Sequence, residues 1–509
     1  MGECTVDIES GDCEGGGLSE LMRDASARQI VLYVADERLR YRGPPGSLTR
    51  DLRKRLEVNR DRLIEGLKSP AFRSRTNDDA VPIADHHHGY WSEIRSGAFD
   101  VGFINGTHFV LKVQRRFDRV ALDQRIRALL ARHSILRSHV AQSAEGVYFR
   151  DSGIDSVVAR VVNLAECSSL GNDLQAAAGQ SATDLVWEPF DESTGPMMRI
   201  FAVVPGATEY ILGVVVHHFI CDGLSLRIIL NDLILDVEPR APTLQFSDYV
   251  FAMNEWARGP GVKLRLEYWK VHLRDAPPTR LPPDHVCESG ERAEVHTMPF
   301  SIDESTVNAL TAFTRAHKTT LFLVLLSAKI LALSMASRNP DIVLLIQHAG
   351  RDDPGLFGVV GSVTDRLPIR IRAGSASSFD DLLILVRETV STAHCYQVPY
   401  FFIEKVAAEV GASDIIPAIN FVDSASGADS DVEHPEIFPF AIGAPSGRKG
   451  SPRKHSSHWM NLVWSGAGIH GQIGYSPLIY RKETVEGFLR VFQRVLRDAA
   501  THAGVEYPA

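Results

Sequence analysis

The sequence is poor in the features that mark several large classes of protein. It has no run of about 18 apolar residues, so no membrane span is expected. Its formal net charge is −9, which argues against general nucleic-acid binding. The six cysteines are scattered and form no C-x-x-C pair, which disfavours a disulfide framework and a zinc site. They are Cys4, Cys13, Cys167, Cys221, Cys287 and Cys395.

The N-terminus has neither the basic start nor the apolar stretch of a secretory signal. With reduced thiols, this predicts a cytoplasmic protein with no membrane or nucleic-acid partner. The composition, 44% hydrophobic and 23% charged, is typical of a soluble globular protein.

The 509 residues are too many for one compact core. Residues 1–17 are acidic and rich in glycine, and we predict that they are disordered. Residues 18–68 read as a small α/β unit, and residues 69–80 as a polar linker. The remainder alternates helical and strand-like segments, which indicates two further α/β lobes, 81–256 and 257–509.

The strongest local pattern is ILGVVVHHFICDGLSLRIILNDL. The apolar run Ile211–Val216 predicts a strand buried on both faces, with His217 and His218 at its end. Asp222 and Gly223 predict a turn, and an amphipathic helix should follow. A lone histidine after such a strand is usually packed in a core. A histidine at the end of a strand, followed by a turn and a helix, can also be held rigidly and accept a proton at neutral pH, and the H-H-x-x-x-D-G spacing favours this function once the resemblance given next is counted.

At HHFICDG the chain resembles the condensation domains of non-ribosomal peptide synthetases, which belong to the chloramphenicol-acetyltransferase-like acyltransferases. The resemblance covers roughly residues 81–500, because four further segments resemble family motifs in the family's order. They are RHSILRSHV (Arg132–Val140), FSDYVFAMNEW (Phe246–Trp256), VGSVTDRLPIR (Val360–Arg370) and HCYQVPYFFIEKV (His394–Val406).

The resemblance implies an α/β (α+β) fold of two lobes in a V-shape with a central tunnel. His218 should face the tunnel and act on the acceptor, as a general base or by positioning it. His217 should support the strand end. Asp222 should pair with Arg370 to hold the loop, and backbone N–H groups near Gly223 are candidate donors to the oxyanion.

The family transfers its acyl group directly, so Cys221 is expected to be a packing residue and not a nucleophile. Three consecutive histidines at 86–88 invite a metal interpretation. Adjacent residues do not converge in a strand or a helix, however, so we predict no metal site.

The segment 363–366 departs from the family's Phe-Val-Asn-Thr pattern by carrying Asp365 and Arg366. This pair either indicates an unusual acceptor or is a surface ion pair. Ser362, Asp365 and Asn420 are candidate residues of the substrate tunnel; for Asn420, ordinary turn chemistry is the alternative.

Residues 18–68 resemble TubC-type N-terminal docking domains, which bind the C-terminal tail of an upstream synthase subunit. One strand face should carry Arg38, Arg40 and Arg42, and these arginines can form ion pairs with acidic side chains of an added peptide strand. The alternative is an ordinary solvated strand face.

No adenylation-like motif and no Gly-x-x-Ser-Leu carrier segment occur in this sequence. We therefore expect no directly bound cofactor, and substrates that arrive on the phosphopantetheine arms of separate carrier proteins, with a free small-molecule acceptor as an option. The leading hypothesis is amide formation. The alternatives are ester formation, an acyl-CoA-dependent acyltransferase, and a non-catalytic recruitment protein. Members of that last class often lose the motif histidine, which this chain keeps.

Overall fold

The structure is a computed structural model. It describes the chain in segments that cover both ends of every element named below. The segments are 17–75, 80–84, 87–88, 91–92, 106–144, 146–164, 174–234, 242, 244–285, 296–412, 415–417, 419–423, 437–440, 459–464 and 468–501. The predicted disorder of the first 17 residues falls almost entirely outside these segments.

The N-terminal unit is a two-stranded hairpin surrounded by three helices. In chain order it consists of α1 (Leu18–Ala27), β1 (Val31–Ala35), β2 (Arg38–Arg42), α2 (Arg50–Val58) and α3 (Arg60–Leu67). The hairpin turns at Asp36 and Glu37, which both have positive φ, as a tight two-residue connection requires. Thr49 caps α2 by accepting the backbone N–H of Leu52.

The first lobe contains seven strands and four helices within the described residues. Its strands are β3 (Ala80–Pro82), β4 (Gly106–Val113), β5 (Ser138–Ser143), β6 (Gly146–Asp151), β7 (Arg160–Asn163), β8 (Met198–Val204) and β9 (Tyr210–His217). Its helices are α4 (Arg119–Arg132), α5 (Leu174–Trp187), α6 (Gly223–Ile234) and α7 (Phe246–Arg258).

The second lobe follows directly. Its helices are α8 (Pro260–His272), α9 (Glu304–Ala316), α10 (Leu321–Ser337), α11 (Phe379–Cys395), α12 (Tyr400–Glu409) and α13 (Lys482–Ala500). Its strands are β10 (His296–Asp303), β11 (Asp341–His348), β12 (Asp365–Arg372), β13 (Ile416–Pro417), β14 (Asn420–Asp423), β15 (Ile437–Pro439), β16 (Trp459–Trp464) and β17 (Gly468–Tyr475).

The main sheet of the first lobe has the order β15-β4-β9-β8-β7, so its edge strand β15 comes from the second lobe's part of the chain. The strand β9 lies in the middle of this sheet and all eight of its residues are buried, as predicted for a strand covered on both faces. The second lobe forms the sheets β10-β17-β16-β14 and β12-β11-β13.

Among the described residues, no single helix is both long and apolar enough to cross a bilayer. The helices α9 and α10 reach that composition only as a pair, across a bend of 107°.

The polar segment after α3 packs on the first lobe. Phe72 stacks on Tyr249 of α7, and the backbone N–H of Arg75 donates to Asp248 at 2.8 Å. The segment predicted as a linker therefore runs along α7, at least as far as residue 75.

The N-terminal unit is joined to the second lobe through one continuous hydrophobic core. The α3 helix lies so close to α8 that a methyl group added at Gly66 would meet the side chain of Leu264 at 2.2 Å. Beside this contact, the buried guanidinium of Arg265 donates to the carbonyl of Leu67 at 2.7 Å and to that of Gly66 at 3.3 Å. These carbonyls end α3 and have no partner within the helix, so a cation there is well placed.

Replacement of Arg265 by methionine should destabilise the whole chain. The carbonyls at the end of α3 would stay buried without a hydrogen-bond donor, and each such group lowers the free energy of unfolding by about 1–3 kcal/mol. Urea unfolding followed by circular dichroism measures this loss. Lys263→Met, at an exposed position of the same helix, is the matched control. Equal midpoints for the two variants would contradict this account of the junction.

Candidate active site

The site begins where β9 ends. His217 is the last residue of the strand and is completely buried. Its Nδ1 accepts the backbone N–H of Phe219 at 3.1 Å, so the ring proton is on Nε2, which donates to Glu192 at 3.1 Å. The carboxylate of Glu192 is desolvated, but this bond still holds its pKa below the usual value. His217 therefore contacts the turn after the strand and Glu192 through its two ring nitrogens.

His218 follows in this turn, and its side chain is exposed. The surrounding protein nevertheless desolvates the ring, and with a smaller contribution from His217 lowers its pKa to about 4. A contact with the backbone of Cys221 and the charge of Asp222 act in the opposite direction. The result is a solvent-accessible imidazole that is neutral at physiological pH and able to accept a proton.

The turn is held by a buried carboxylate, Asp222, which is 6% exposed. It caps α6 by accepting the backbone N–H of Ser225 at 2.8 Å. Across the lobe boundary it accepts bonds from the N–H groups of Val363 and Thr364 at 3.1 and 3.0 Å. Its ionised form is also paired with Arg351, whose two terminal nitrogens lie 2.7 and 3.1 Å from its oxygens.

Burial opposes ionisation of Asp222, but Arg351 and these hydrogen bonds outweigh it and hold the pKa of the carboxyl below its usual value. The hydroxyl of Ser225 lies between the lobes as well, 2.8 Å from Asp222 and 2.9 Å from the carbonyl of Gly361. Asp222 is thus the point at which the two lobes are held together beside His218.

The expected pairing of Asp222 with Arg370 is wrong. Arg370 lies well inside β12 and binds Asp341, with its Nη2 2.7 Å from Oδ2 of that residue. Thr364 is the residue that touches Asp222, and six residues of strand carry the chain about 20 Å away from it. Arg370 is a structural residue, but it supports another part of the second lobe.

The true partner, Arg351, follows β11 in a tight turn. Gly350 has a φ of +65°, and an added methyl group would meet the carbonyl oxygen of Val363 at 2.3 Å. Glycine is required there because the backbone is left-handed and the two loops touch. This turn brings the arginine back to the motif.

Three further residues beside the motif were not found from the sequence. These are Glu192, Ser225 and His108. His108 lies on β4, and a positive charge on its ring would disfavour protonation of His218. Burial lowers the pKa of His108 as well. The pattern D-G-x-S offered a signal for Ser225, but no local pattern links Glu192 or His108 to the site.

The three residues predicted for the substrate tunnel, Ser362, Asp365 and Asn420, lie in different parts of the second lobe. Asp365 begins β12 and accepts the backbone N–H of Tyr400 at 3.0 Å, and the carbonyl of Ser362 lies 3.2 Å from the ring of His87. Asn420 lies at the start of β14 with an exposed side chain. The Asp365–Arg366 pair is not a simple ion pair, because the guanidinium of Arg366 stacks on the ring of Tyr400 at 4.5 Å.

Cys221 is buried, and burial raises the pKa of its thiol, so it stays protonated and is unsuited to nucleophilic attack. Of the three neighbouring histidines, His86 lies outside the described residues. His87 packs against Phe219 and Phe246, and Trp91 is a core residue. Within the described segments, no group of three histidine, cysteine or acidic side chains could hold a metal ion.

In the N-terminal unit, the predicted alternation of β2 is present. Leu39 is buried, Arg38 is exposed, and Arg40 pairs with Asp36 at 2.8 Å. Arg42, in contrast, points to the second lobe, where it donates to the hydroxyl of Thr392 on α11 at 3.2 Å. Arg40 is therefore engaged within the hairpin, and Arg42 with the second lobe.

Comparison with known proteins agrees with this geometry. Residues 105–506 match the family model of the condensation domain, and residues 18–68 match that of the TubC N-terminal docking domain. The chain therefore belongs to the condensation domain family and carries an N-terminal docking domain.

Malpinin synthetase of Mortierella alpina is 24% identical over 436 residues, which are 81% of this chain and 5% of that protein. This chain thus spans less than a tenth of that synthetase.

Among solved structures, the X-domain from teicoplanin biosynthesis aligns with a TM-score of 0.69 at 20% identity, over 86% of this chain and 98% of that one. The cyclization-docking bidomain of the EpoB non-ribosomal peptide synthetase from Sorangium cellulosum aligns over 96% of this chain and 99% of that one, with a TM-score of 0.66 at 17% identity. At these identities the two structures show the fold, which is the expected two-lobed α/β fold with a docking unit in front.

The assignment of Arg351 as the partner of Asp222 predicts that Asp222 is energetically coupled to Arg351 and not to Arg370. In a double-mutant cycle, Asp222→Asn and Arg351→Met should interact by at least about 1 kcal/mol in the free energy of unfolding. Asp222→Asn and Arg370→Met should be additive within about 0.5 kcal/mol. Urea denaturation of the single and double variants measures both. Coupling to Arg370 instead of Arg351 would contradict the assignment.

The depressed pKa of His218 predicts that its ring stays reactive in mild acid. Diethyl pyrocarbonate modifies only the neutral imidazole, so the modification rate at His218 should be nearly constant from pH 7.5 to about pH 5 and fall as the pH approaches 4. Peptide mass spectrometry follows the rate, with N-acetylhistidine as the reference, which loses reactivity near pH 6.5. A decline at His218 that parallels the reference would show that the pKa of the ring is not depressed.

Proposed function

We propose that this chain joins an acyl or peptidyl group, carried as a thioester, to an amine acceptor and so forms an amide. Membership of the condensation domain family supports the reaction class. The observation that carries the proposal is His218, an exposed imidazole that is neutral at physiological pH and lies on a turn fixed by His217 and Asp222.

In the proposed reaction, the amine nitrogen attacks the thioester carbonyl carbon. The C–N bond forms, and the electron pair of the carbonyl moves to its oxygen. Collapse of this intermediate breaks the C–S bond and releases the thiolate. The proton lost by the amine passes to His218, which returns it to the departing sulfur, so that the histidine ends neutral. If the base function is weak, the same ring position still orients the amine for attack.

The oxyanion of the intermediate requires preorganised donors. Gly223 is the first residue of α6 and faces open space, since no atom lies within 4 Å of the position that its Cβ would occupy. The first N–H groups of a helix have no acceptor within it. We therefore propose that the N–H groups at Gly223 and Leu224 stabilise the developing negative charge.

The substrates in this proposal arrive in a tunnel between the lobes, on the phosphopantetheine arms of carrier proteins in the cytoplasm, and a free small-molecule acceptor is the other option. Asp365, Ser362 and Asn420 are the proposed tunnel residues. Asp365 is the strongest of them, because it begins β12 directly after Thr364, which binds Asp222.

We further propose that the docking domain receives the acidic C-terminal tail of an upstream synthase subunit on β2. The Leu32 N–H on the outer edge of β1 already donates to Tyr396 of the second lobe, so the edge of β2 is the better place for an added strand. Arg38 and Arg40 are then the residues that contact the tail, while Arg42 supports the hairpin against α11.

The proposal predicts that His218→Ala lowers transfer by about 10²–10⁴-fold. The purified chain is mixed with acyl-loaded carrier proteins or acyl-CoA thioesters and with amine or alcohol acceptors, free or carrier-bound, and products are identified by mass spectrometry. His470→Ala removes an exposed histidine on β17 and is the matched control.

Each outcome has a definite meaning. Product from the wild type that disappears in His218→Ala supports the proposal, and its mass distinguishes an amide from an ester. Product from acyl-CoA alone identifies a coenzyme-A-dependent acyltransferase. Equal product from both proteins removes His218 from the mechanism. If no donor and acceptor pair gives product while loaded carriers still bind, the remaining explanations are a substrate outside the panel and a recruitment protein.

A further inference from the structure

The segment Tyr396–Tyr400 connects α11 to α12 and touches the docking domain. Tyr396 is completely buried and stacks on Tyr268 of α8, with ring centroids 4.3 Å apart. Its backbone carbonyl accepts the indole N–H of Trp269 at 2.8 Å. Its hydroxyl oxygen accepts the backbone N–H of Leu32 on β1 at 2.6 Å. One end of the segment is thus fixed to the docking hairpin.

The other side of the same segment is fixed to the loops around the motif. The side-chain amide of Gln397 donates to Asp352 at 2.5 Å. Three residues later, the backbone N–H of Tyr400 donates to Asp365 at 3.0 Å. The segment therefore contacts two loops of the second lobe, one that carries Arg351 and one that carries Thr364.

These two contacts lie directly beside the residues that hold the motif carboxylate. Asp352 follows Arg351, which pairs with Asp222. Asp365 follows Thr364, whose N–H and hydroxyl both donate to Asp222, at 3.0 and 3.1 Å. Each path from Tyr396 to the motif therefore consists of hydrogen bonds and short stretches of backbone.

We propose that Tyr396–Tyr400 is a positioning segment for the reaction. It connects β1 of the docking domain, through hydrogen bonds, to the two loops that bind Asp222. The docking domain therefore supports the turn of His218 as well as recruiting a partner. Packed networks of this kind transmit displacement because the interior is dense and the buried polar groups have fixed partners. The inference rests on the proposed role of His218.

The test uses Tyr396→Phe in the full chain, which keeps the stacked ring and removes only the acceptor of the Leu32 N–H. Hydrogen–deuterium exchange should become at least about fivefold faster in peptides that cover 217–225 and 361–364, as well as in β1. The N–H groups of Ser225, Val363 and Thr364 report directly, since Asp222 accepts all three.

A second readout is transfer from an N-acetylcysteamine thioester, a soluble donor that needs neither a carrier protein nor an upstream tail. Tyr396→Phe should lower kcat at least about fivefold and leave KM within about twofold, because misplacement of the reacting groups affects the chemical step. Gln397→Leu, which breaks one of the two contacts on the motif side, the one with Asp352, should lower kcat similarly and accelerate exchange at 361–364 without affecting β1.

Tyr268→Phe is the matched control, because it removes a hydroxyl from the same aromatic stack but not from the link. It should leave kcat and the exchange of the motif peptides unchanged. If Tyr396→Phe accelerates exchange in β1 alone and kcat is unaltered, the inference is overturned. If the wild type and His218→Ala transfer equally, the proposed function fails, and the exchange data still decide whether the segment positions the motif.

Discussion

The buried ion pair of Asp222 and Arg351 is the constraint on which the arrangement of the site depends. A carboxylate that is 6% exposed is stable in its ionised form only if a positive charge pairs with it and hydrogen-bond donors reach its oxygens. Arg351 supplies the charge, and N–H groups from both lobes supply the remaining bonds. These donors come from α6 in the first lobe and from the loop before β12 in the second. The hydrogen bonds to this one carboxylate therefore hold the two lobes together beside His218.

This requirement explains several features around the pair. The left-handed turn at Gly350 returns Arg351 to the motif, and the same glycine lets the loop of Val363 approach closely. Ser225 fills the remaining polar gap between the lobes. Arg132, at the end of α4, pairs with Asp232 near the end of α6, so the helix that starts at the motif is fixed at both ends.

The parts that the sequence could predict are those determined by local pattern. The apolar run before His217 predicted β9, the D-G pair predicted the turn and the start of α6, and the spacing of Arg38, Arg40 and Arg42 predicted the strand β2. The partner of Asp222 is 129 residues away. Residues 351–372 contain four arginines, which are Arg351, Arg366, Arg370 and Arg372. The choice between them depends on where β11 ends and on the path of the turn after it, which local periodicity does not encode. Glu192 and His108 were missed for the same reason, since each meets the site only through sheet pairing and packing.

The state of His218 follows from the same architecture. A ring in open water would be half protonated near pH 6.5 and a poor base in mild acid. A ring packed as His217 is would be unable to reach a substrate. The turn after β9 gives the two adjacent rings different surroundings: His217 is buried and bonded to Glu192, whereas His218 is exposed. Desolvation keeps the second ring neutral, and the neighbouring His217 and His108 further disfavour its protonation. The rigidity that Asp222 imposes on this turn is what holds a neutral and accessible imidazole at a fixed place beside the hydrogen bonds that join the two lobes.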